Sequence, residues 1–434
     1  MNAEGERVAD VVVVGLGAIG SSAAWRLAAR GLDVVAVDQH EPGHAWGGSH
    51  GRSRLFRVAC LEHPGLTPIA RRARALWREL EALSGEELLL ETGGIMIGQP
   101  GSRIIEGTLA AAREHDLPVE RLDAAAIAER LPALARLDPG DVGLWDPEAG
   151  VLRPEVAIVA AVDAARAARA EIRTGERVLA IEVDDVGDAG YAAVTVRLER
   201  GDVRARRVVV AAGPWLSQLV DVPVRPHRVV MSWFGARDGH DASIDRIPVF
   251  IRSVPGTAEW IWGHGALPGD LAKVGPEFDG PFDDADPDAI DREIHAGETD
   301  RISELVDAAF ADLHPEPADL TTCTMAHTPD GQFVVGPTDA SARVIVAGGC
   351  SGHSFKHAAA LGELAAQLAA DEAPFTDAAF LDPRRFGKDA DQAAADASSA
   401  LSTWASAGAR CARLRSTNGS ATADSAPLSS SEKP

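Results

Sequence analysis

Near the start of the chain a run of valines leads at once into three spaced glycines, and few folds accommodate that order. The segment reads Asp10-Val-Val-Val-Val-Gly15-Leu-Gly17-Ala-Ile-Gly20, and a second apolar run ends at Asp38. Continuous valine is typical of a strand buried on both faces of a parallel sheet. Helical spacing follows the glycines, so the segment predicts a βαβ unit with a dinucleotide-binding fingerprint.

The three glycines and the terminal acid have separate roles in such a unit. Gly15 permits the tight turn, Gly17 lets the backbone approach a pyrophosphate, and Gly20 permits close packing of helix on strand. The phosphates then lie at the positive end of the helix dipole. Asp38 can accept hydrogen bonds from ribose hydroxyls and disfavours a 2′-phosphate, so FAD or NAD is expected rather than NADP. The fingerprint does not decide between these two, and a packing turn without ligand is the alternative.

Two further valine strands that end in glycine lie far downstream, at 206–213 and 343–349. A dinucleotide-binding domain assembled from separated segments requires them, whereas a one-piece domain does not. We therefore predict an α/β (mixed α+β) fold with a discontinuous Rossmann-like domain and a substrate domain built on a mixed or antiparallel sheet. The predicted boundaries are 8–85, 150–220 and 321–386 for the first domain, and 86–149 and 221–320 for the second.

Outside these strands the sequence predicts several helices and a tail. Residues 68–83, 103–132 and 156–170 have helical spacing or composition. From residue 387 to 434 the chain is rich in Ala, Ser and Asp with almost no apolar pattern, which predicts a disordered tail with a short helix possible at 402–414.

Charge and cysteine content narrow the class of protein. The 434 residues include 42 basic and 65 acidic ones, for a formal net charge of −23. Such a surface repels nucleic acids and anionic lipids, and it also aids solubility. The four cysteines have no spacing typical of a metal site or a redox pair, so no metal is expected. No signal peptide and no membrane-spanning run is visible, so a cytoplasmic location is expected.

A cationic glycine-rich loop follows Asp38, where a nicotinamide dehydrogenase would continue its alternation of strands and helices. It reads Gly47-Gly-Ser-His-Gly-Arg-Ser-Arg54-Leu-Phe-Arg57. Glycines let backbone approach a large flat ring, and arginines can face that ring or an anionic substrate. The loop therefore favours a flavin over a nicotinamide.

With two further motifs the chain resembles a known family. These are Cys323-Thr-Met-Ala-His-Thr-Pro-Asp330 and Ala347-Gly-Gly-Cys-Ser-Gly-His-Ser-Phe-Lys356. Together with the fingerprint and the cationic loop they resemble monomeric sarcosine oxidase and N-methyltryptophan oxidase, within the FAD-dependent amine oxidases related to D-amino-acid oxidase. The resemblance covers about residues 8–386 and implies FAD as cofactor, a discontinuous flavin domain and a monomer.

The resemblance assigns roles to individual residues. Cys323 falls where the family attaches FAD through the 8α-methyl carbon, which requires a thiolate in a cationic or dipolar setting. An inert buried cysteine is the alternative, and Cys350 is a second, weaker attachment point. Arg57 and Lys356 match the two cations that bind the substrate carboxylate. Arg54 and Lys273 match positions near the flavin, the lysine being associated with the reaction with oxygen. The cofactor-binding residues implied in all are Gly15, Gly17, Gly20, Asp38, Ser49, His50, Arg54, Val178, Gly213, Cys323, Gly349, Gly352 and Lys356.

The substrate pocket departs from the family pattern. Trp262 and Met325 stand where sarcosine oxidases carry active-site tyrosines, and Glu277 stands where they carry a histidine. A carboxylate there favours a bulkier or more cationic amine than sarcosine, unless Glu277 lies at the solvent edge. His264, in the same segment, could contribute to the site or be an ordinary core or surface histidine.

The implied reaction is oxidation of the C–N bond of a secondary or tertiary amino acid, N-methyl or cyclic. Hydride equivalents pass to the flavin, the imine hydrolyses, and O2 is reduced to H2O2. A dehydrogenase that passes electrons to a carrier is one alternative. A flavin-binding subunit without turnover is the other, although it has no need for Arg57 and Lys356.

Overall fold

The computed structural model describes residues 8–183, 193–277 and 283–387. Its strands, in chain order, are β1 (Ala9–Val14), β2 (Val34–Val37), β3 (Arg54–Phe56), β4 (Leu89–Glu91), β5 (Gly94–Gly98), β6 (Glu120–Leu122), β7 (Val142–Asp146), β8 (Gly150–Leu152), β9 (Glu171–Arg173), β10 (Val178–Val183), β11 (Val194–Leu198), β12 (Gly201–Val210), β13 (Arg225–Phe234), β14 (Val249–Ser253), β15 (Trp260–His264), β16 (Ala272–Pro276), β17 (Asp319–His327), β18 (Val334–Pro337) and β19 (Val344–Gly348). Its α-helices are α1 (Ala18–Ala29), α2 (Leu66–Ser84), α3 (Arg103–His115), α4 (Ala124–Arg130), α5 (Pro154–Ala167), α6 (Leu216–Leu219), α7 (Asp300–Ala309) and α8 (Ala358–Ala369).

The first sheet has a parallel centre in the order β9–β2–β1–β12–β19. Strand β11 pairs antiparallel with the first half of β12 and with β10, and β18 pairs antiparallel with β19. The valines of β1 and the end of β12 are buried, as central strands of a parallel sheet require. Helices α1, α2, α5 and α8 share one apolar core with Val11 and Val13.

Helix α8 is held to its neighbours by close contact and by charge. A Cβ at Gly362 would overlap Ser22 and the backbone of Ala23, so the glycine permits α8 to approach α1. Glu363 is buried and forms ion pairs with Arg26 of α1, Arg30 directly after α1, and Arg72 of α2. Burial alone would raise the pKa of Glu363, but Arg30 and Arg26 lower it to about 2.

The second sheet has the order β17–β13–β16–β15–β14–β5–β7–β6. Strands β14 and β5 are parallel and the other neighbours are antiparallel. Phe234, Phe250 and Phe310 lie in the core on one side of this sheet, together with apolar residues of α4 and α7. A small antiparallel sheet, β3–β8–β4, carries Arg54 at the start of β3.

The predicted α/β class is confirmed, with the mixed sheet as expected. The predicted strands at 206–213 and 343–349 are β12 and β19. Residues 103–132, predicted helical, instead hold two helices separated by strand β6. The first helix stops because Asp116 takes a positive φ and Pro118 follows, and β6 then pairs with β7. Residues 321–327, assigned to the flavin domain, form hydrogen bonds in the second sheet as part of β17. The domain boundaries themselves stay a prediction.

Two further expectations concern the ends of the chain and membranes. The predicted tail, from residue 388 onward, and its short helix lie outside the described residues. Among the described helices, none has the length and apolar character needed to cross a membrane.

Candidate active site

A cleft opens where β1, β2 and β12 end, and the glycine turn and Asp38 line it. Gly15 has a φ of +91°, and a Cβ there would overlap the carbonyl of Ala211. A Cβ at Gly20 would overlap the carbonyl of Gly15. At Gly17 the nearest such contact is Ser49 Oγ, 3.6 Å away, so this backbone faces open space. The turn thus lets a bulky group approach the start of α1.

Asp38 lies in the same cleft and is already fixed by backbone donors. Its Oδ2 accepts from Leu16 N at 2.6 Å and its Oδ1 from His40 N at 2.8 Å. Each carboxylate oxygen has a second lone pair, so the residue can still accept a bond from a ribose hydroxyl. Val178 and Gly213, predicted from the resemblance, also line the cleft.

The rim of the cleft includes residues that sequence reasoning missed. Arg177 and Trp215 line it, and both bond to Asp288: Arg177 Nη1 and Trp215 Nε1 each lie 2.8 Å from Asp288 Oδ1. Asp288 lies 111 positions beyond Arg177, and no motif marks the pair. Only the folded chain shows that this segment borders the cleft.

A second group of predicted residues meets around the loop from Gly47 to Arg54. Lys273 Nζ donates to Gly51 O at 2.9 Å and to Ser53 O at 3.1 Å. Arg54 donates to Ser53 O at 2.8 Å and to Gly48 O at 3.0 Å. A Cβ at Gly48 would lie 2.7 Å from the carbonyl oxygen of Thr324, so the glycine lets the loop lie against β17.

Cys323 lies on β17, beside this loop. Its Sγ is 3.9 Å from Gly47 O, and the side chain is buried. Burial raises the pKa of the Cys323 thiol, while Arg54 and Lys273 act to lower it. The cationic setting expected from the sequence is therefore present, but burial outweighs it and the thiolate is not the favoured form.

Lys273 and His50 are buried residues that both lie close to Arg54. Burial, and then the neighbouring Arg54, hold the pKa of Lys273 well below its ordinary value. The same two causes lower the pKa of His50 to about 4. His50 Nε2 is buried and has no hydrogen-bond partner among the described residues. A buried polar atom of this kind is normally satisfied by a partner.

Arg57 and Lys356 are brought together although they lie 299 positions apart in sequence. Both are buried. Arg57 Nη2 lies 2.6 Å and Lys356 Nζ 3.0 Å from one oxygen, Oε1 of Glu62. Burial acts to raise the pKa of Glu62, but Arg57 and Lys356 hold it well below the ordinary value. The predicted pair of cations is therefore built to hold a carboxylate oxygen, and a carboxylate of the chain itself is placed there.

Sequence reasoning missed Glu62. Its signal was its spacing, five residues after Arg57 in the same loop, but an acid in a loop is ordinarily solvated. Glu62 Oε2 is buried without a partner among the described residues, as are Arg57 Nε and His353 Nδ1. Burial lowers the pKa of His353 to about 4, so this neighbouring histidine is neutral.

Trp262 and Glu277 lie on, and directly after, the adjacent strands β15 and β16, whereas Met325 lies on β17, which β13 separates from β16. Trp262 on β15 donates from Nε1 to Pro276 O at 3.2 Å, and its ring packs over Gly275. Glu277 follows β16, and its N–H donates to Trp260 O at 3.1 Å. Both side chains are half-buried.

Met325 lies on β17 two residues after Cys323, so the two side chains share a face. Its Sδ is 3.6 Å from where a Cβ at Gly352 would lie. Gly349 and Gly352 have φ values of +68° and +81°, which only glycine adopts without strain. The loop that leads to Lys356 therefore passes against the strand of Cys323.

Comparison with known proteins decides the family. Residues 10–368 match the family model described as FAD dependent oxidoreductase. The chain belongs to this FAD-dependent oxidoreductase family. Monomeric sarcosine oxidase of Streptomyces avermitilis is 33% identical over 383 residues, covering 87% of this chain and 97% of that protein. N-methyl-L-tryptophan oxidase of Salmonella arizonae is 31% identical over 373 residues, covering 85% and 96%.

Solved structures agree with this assignment. The amino acid oxidase NikD, described as essential for nikkomycin biosynthesis, has a TM-score of 0.73 at 26% identity and covers 87% of this chain and 98% of its own. L-proline dehydrogenase from P. horikoshii has a TM-score of 0.72 at 18% identity, covering 88% and 98%, and supports the fold alone. The predicted resemblance and the predicted enzyme class are confirmed.

The residues of this FAD-dependent oxidoreductase fit the cofactor. The glycine turn leaves space at Gly17, Asp38 can accept a ribose hydroxyl, and His50 Nε2 is a buried atom in need of a partner. FAD supplies a two-electron acceptor when bound. The chain's own groups can bind and orient an anionic substrate at Arg57 and Lys356, and can present the charge of Lys273 in a site removed from water.

Proposed function

We propose that the enzyme oxidises the C–N bond of a secondary or tertiary amino acid, N-methyl or cyclic, and reduces O2 to H2O2. A secondary amine loses two electrons and two protons and becomes an imine. A tertiary amine loses two electrons and one proton and becomes an iminium ion, and its hydrolysis releases the second proton. Water then adds to the imine, which for an N-methyl substrate gives formaldehyde and the parent amino acid. O2 accepts the two electrons and two protons. We further propose that the FAD is attached covalently through Cys323.

One observation carries the substrate class. Arg57 and Lys356 both point at a single carboxylate oxygen, at 2.6 and 3.0 Å, in a buried setting. Charge-assisted bonds of this kind are the strong ones, and they are stronger away from water. A substrate carboxylate can take the same two donors when Glu62 withdraws from them.

The surroundings of Lys273 support an oxidase rather than a dehydrogenase. A buried cation stabilises negative charge that develops on oxygen when it receives an electron. Lys273 is buried, and its Nζ donates to two loop carbonyls. Burial and Arg54 lower its pKa, whereas the two carbonyl acceptors favour the ammonium over the neutral amine. Transfer to a carrier protein needs no buried cation of this kind.

The half-buried Trp262, Glu277 and Met325 support a substrate other than sarcosine. Methionine adapts to irregular shapes. A carboxylate at the pocket favours a cationic or hydrogen-bond-donating substituent. We propose a bulkier or more polar N-alkyl or cyclic amino acid as the preferred substrate.

A panel of amines tests the function directly. Purified enzyme is mixed with sarcosine, N-methyltryptophan, pipecolate, a basic N-alkyl amino acid and a primary amino acid, first without oxygen and then in air. We expect flavin bleaching without oxygen and one H2O2 per substrate in air for N-substituted acids. Bleaching without peroxide, together with reduction of an artificial acceptor, would show a dehydrogenase. No bleaching by any amino acid would remove the proposed function.

A further inference from the structure

His264 and Lys273 are directly opposed residues on neighbouring strands. Strands β15 and β16 are antiparallel, and their register pairs His264 with Lys273. Both side chains are buried, and both bond to the loop at 51–53. Lys273 bonds to the loop carbonyls, whereas His264 bonds to the hydroxyl of Ser53.

The hydrogen bonds of His264 fix its tautomer. Nδ1 lies 2.7 Å from the carbonyl oxygen of Gly265, which can only accept, so Nδ1 carries the proton. Nε2 lies 2.7 Å from Ser53 Oγ. Burial lowers the pKa of His264 to about 4, so the ring is neutral at neutral pH. Nε2 therefore accepts, and the Ser53 hydroxyl donates.

The loop held by His264 has a strained backbone. Gly51 has a φ of +103° and Arg52 a φ of +66°, a region that non-glycine residues rarely adopt. Such a conformation persists only where the surroundings over-determine it, and it is often found at functional sites. Contacts on two sides of this loop hold its backbone in place.

On the outer side, acids fix the loop. Glu155 Oε1 accepts from Gly51 N at 2.7 Å and from Arg52 N at 3.1 Å. The Arg52 guanidinium pairs with Asp270 and Asp319. On the inner side, the side chains of His264 and Lys273 bond to the loop.

The carbonyls of this loop orient the Lys273 ammonium by hydrogen bonds. Gly51 O and Ser53 O take two of its three N–H groups, so their positions set the direction of the third. A change in the orientation of the Ser53 peptide would therefore move the ammonium charge. Ser53 O also accepts a hydrogen bond from Arg54, so Arg54 and Lys273 share this acceptor.

We propose that His264 is a positioning residue for the reaction with oxygen. By accepting the Ser53 hydroxyl, it holds the Gly51 and Ser53 carbonyls at the Lys273 ammonium and so directs that charge. This inference rests on the proposed function, because the orientation of the Lys273 ammonium matters only in an enzyme that reacts with oxygen. Nothing in the role requires His264 to contact the substrate or to transfer a proton.

Four variants of the holoenzyme test the proposal. His264→Leu removes the acceptor, Ser53→Ala removes the donor, the double variant removes both, and His264→Gln keeps an acceptor near Nε2. The flavin is reduced with dithionite and its reoxidation by O2 is followed by stopped flow. Dithionite makes this measurement independent of the amine substrate, so a failure of the proposed substrate class does not affect it. The rate of flavin reduction by the best amine is measured separately.

We expect reoxidation by O2 to slow about tenfold or more in His264→Leu and Ser53→Ala, since a buried partner is lost. The double variant should be no slower than either single variant, and His264→Gln should recover most of the rate. Reduction by the amine should change by less than about twofold, because the loop bond acts on Lys273. Unchanged reoxidation in both single variants would overturn the proposal. An equal loss in both half-reactions would also overturn it, because it would show a general structural role.

A measurement without turnover completes the test. In protein labelled with ¹⁵N-histidine, His264 is assigned by its absence in His264→Gln. We expect the neutral tautomer with the proton on Nδ1. We also expect the Nε2 resonance of His264 to change in Ser53→Ala, which removes the hydroxyl that donates to Nε2. A protonated Nε2, or no change in Ser53→Ala, would contradict the proposed bond.

Discussion

The carboxylate of Glu62 accepts a hydrogen bond from the ammonium of Lys356 at 3.0 Å, although 294 positions separate them in sequence. The same oxygen accepts from Arg57. A substrate carboxylate that uses these two donors must therefore compete with Glu62. The competition gives Glu62 an effect on ligand binding that is opposite to that of its two partners.

Glu62→Gln should strengthen binding of simple carboxylates. Removing the negative charge leaves Arg57 and Lys356 free to bind an external carboxylate, so the Kd of acetate should fall about tenfold, within the range of a charge-assisted bond. Acetamide should bind both forms alike. Glu62→Asp keeps the charge and serves as the matched control, with a Kd close to that of the wild type. The Kd values are read from the flavin absorbance spectrum, and weaker acetate binding in Glu62→Gln would contradict the competition.

Cys323→Ala should release the flavin. Acid-precipitated wild-type protein should stay yellow, whereas the variant should give a colourless pellet and a yellow supernatant. Cys350→Ala is the matched control, because Cys350 is a half-buried cysteine of the neighbouring loop and should leave the flavin attached. A colourless wild-type pellet would show that the flavin is not covalent.

The preference for a larger or more polar substrate depends on Glu277. We expect kcat/KM for a basic N-alkyl amino acid to exceed that for sarcosine, and Glu277→Gln to reduce this ratio about tenfold through loss of the charge. Glu259→Gln is a control at the residue before β15, where the acid has a side chain that is 42% exposed and pairs with Arg301. A preference for sarcosine that Glu277→Gln leaves unchanged would show that Glu277 lies outside the pocket.

Much of this arrangement could be predicted from local sequence, and the reason is physical. Gly15 is identified by a positive φ that other residues rarely adopt. Gly17 and Gly20 are identified by the space that their missing side chains leave, and the valine strands by burial on both faces. Motifs around Arg57 and Lys356 gave the cations of the pocket. Each of these signals is contained within a few neighbouring residues.

What the sequence could not show depends on contacts between distant segments. Glu62 matters only because Lys356 folds onto it, and Asp288 only because its segment reaches Arg177. His264 appears in the sequence as a single histidine without a motif, and its register with Lys273 is a property of the sheet. The sequence motif predicted a thiolate at Cys323, but burial raises the pKa of this thiol. A motif does not show how deeply a residue is buried. The monomeric state and the cytoplasmic location stay predictions.

Acid should weaken the contact between α8 and α1. Because the pKa of Glu363 is about 2 in the folded protein, against an ordinary value of 4.5, its ionised form stabilises the fold above about pH 4.5. This contribution is lost as the pH falls toward 2. Glu363→Gln should therefore lower the free energy of unfolding by about 2 kcal/mol at pH 7, and the difference from wild type should shrink on acidification.

Urea unfolding at several pH values checks this expectation. Glu79→Gln is the matched control, because Glu79 also pairs with Arg26 but its side chain is 47% exposed. Glu79→Gln should lower the free energy of unfolding by less than about 1 kcal/mol at any pH. A Glu363→Gln difference that stays constant between pH 7 and pH 3 would show that the ion pairs do not act through ionisation of Glu363.

Binding of a substrate carboxylate by Arg57 and Lys356 is tested by kcat/KM for the best N-substituted amino acid and for its carboxamide, in wild type and in Arg57→Ala. The wild type should prefer the acid by about tenfold or more. Arg57→Ala should lose most of this preference, because only its kcat/KM for the acid should fall. A wild-type enzyme that oxidises the carboxamide as fast as the acid would show that the two cations do not bind the substrate carboxylate.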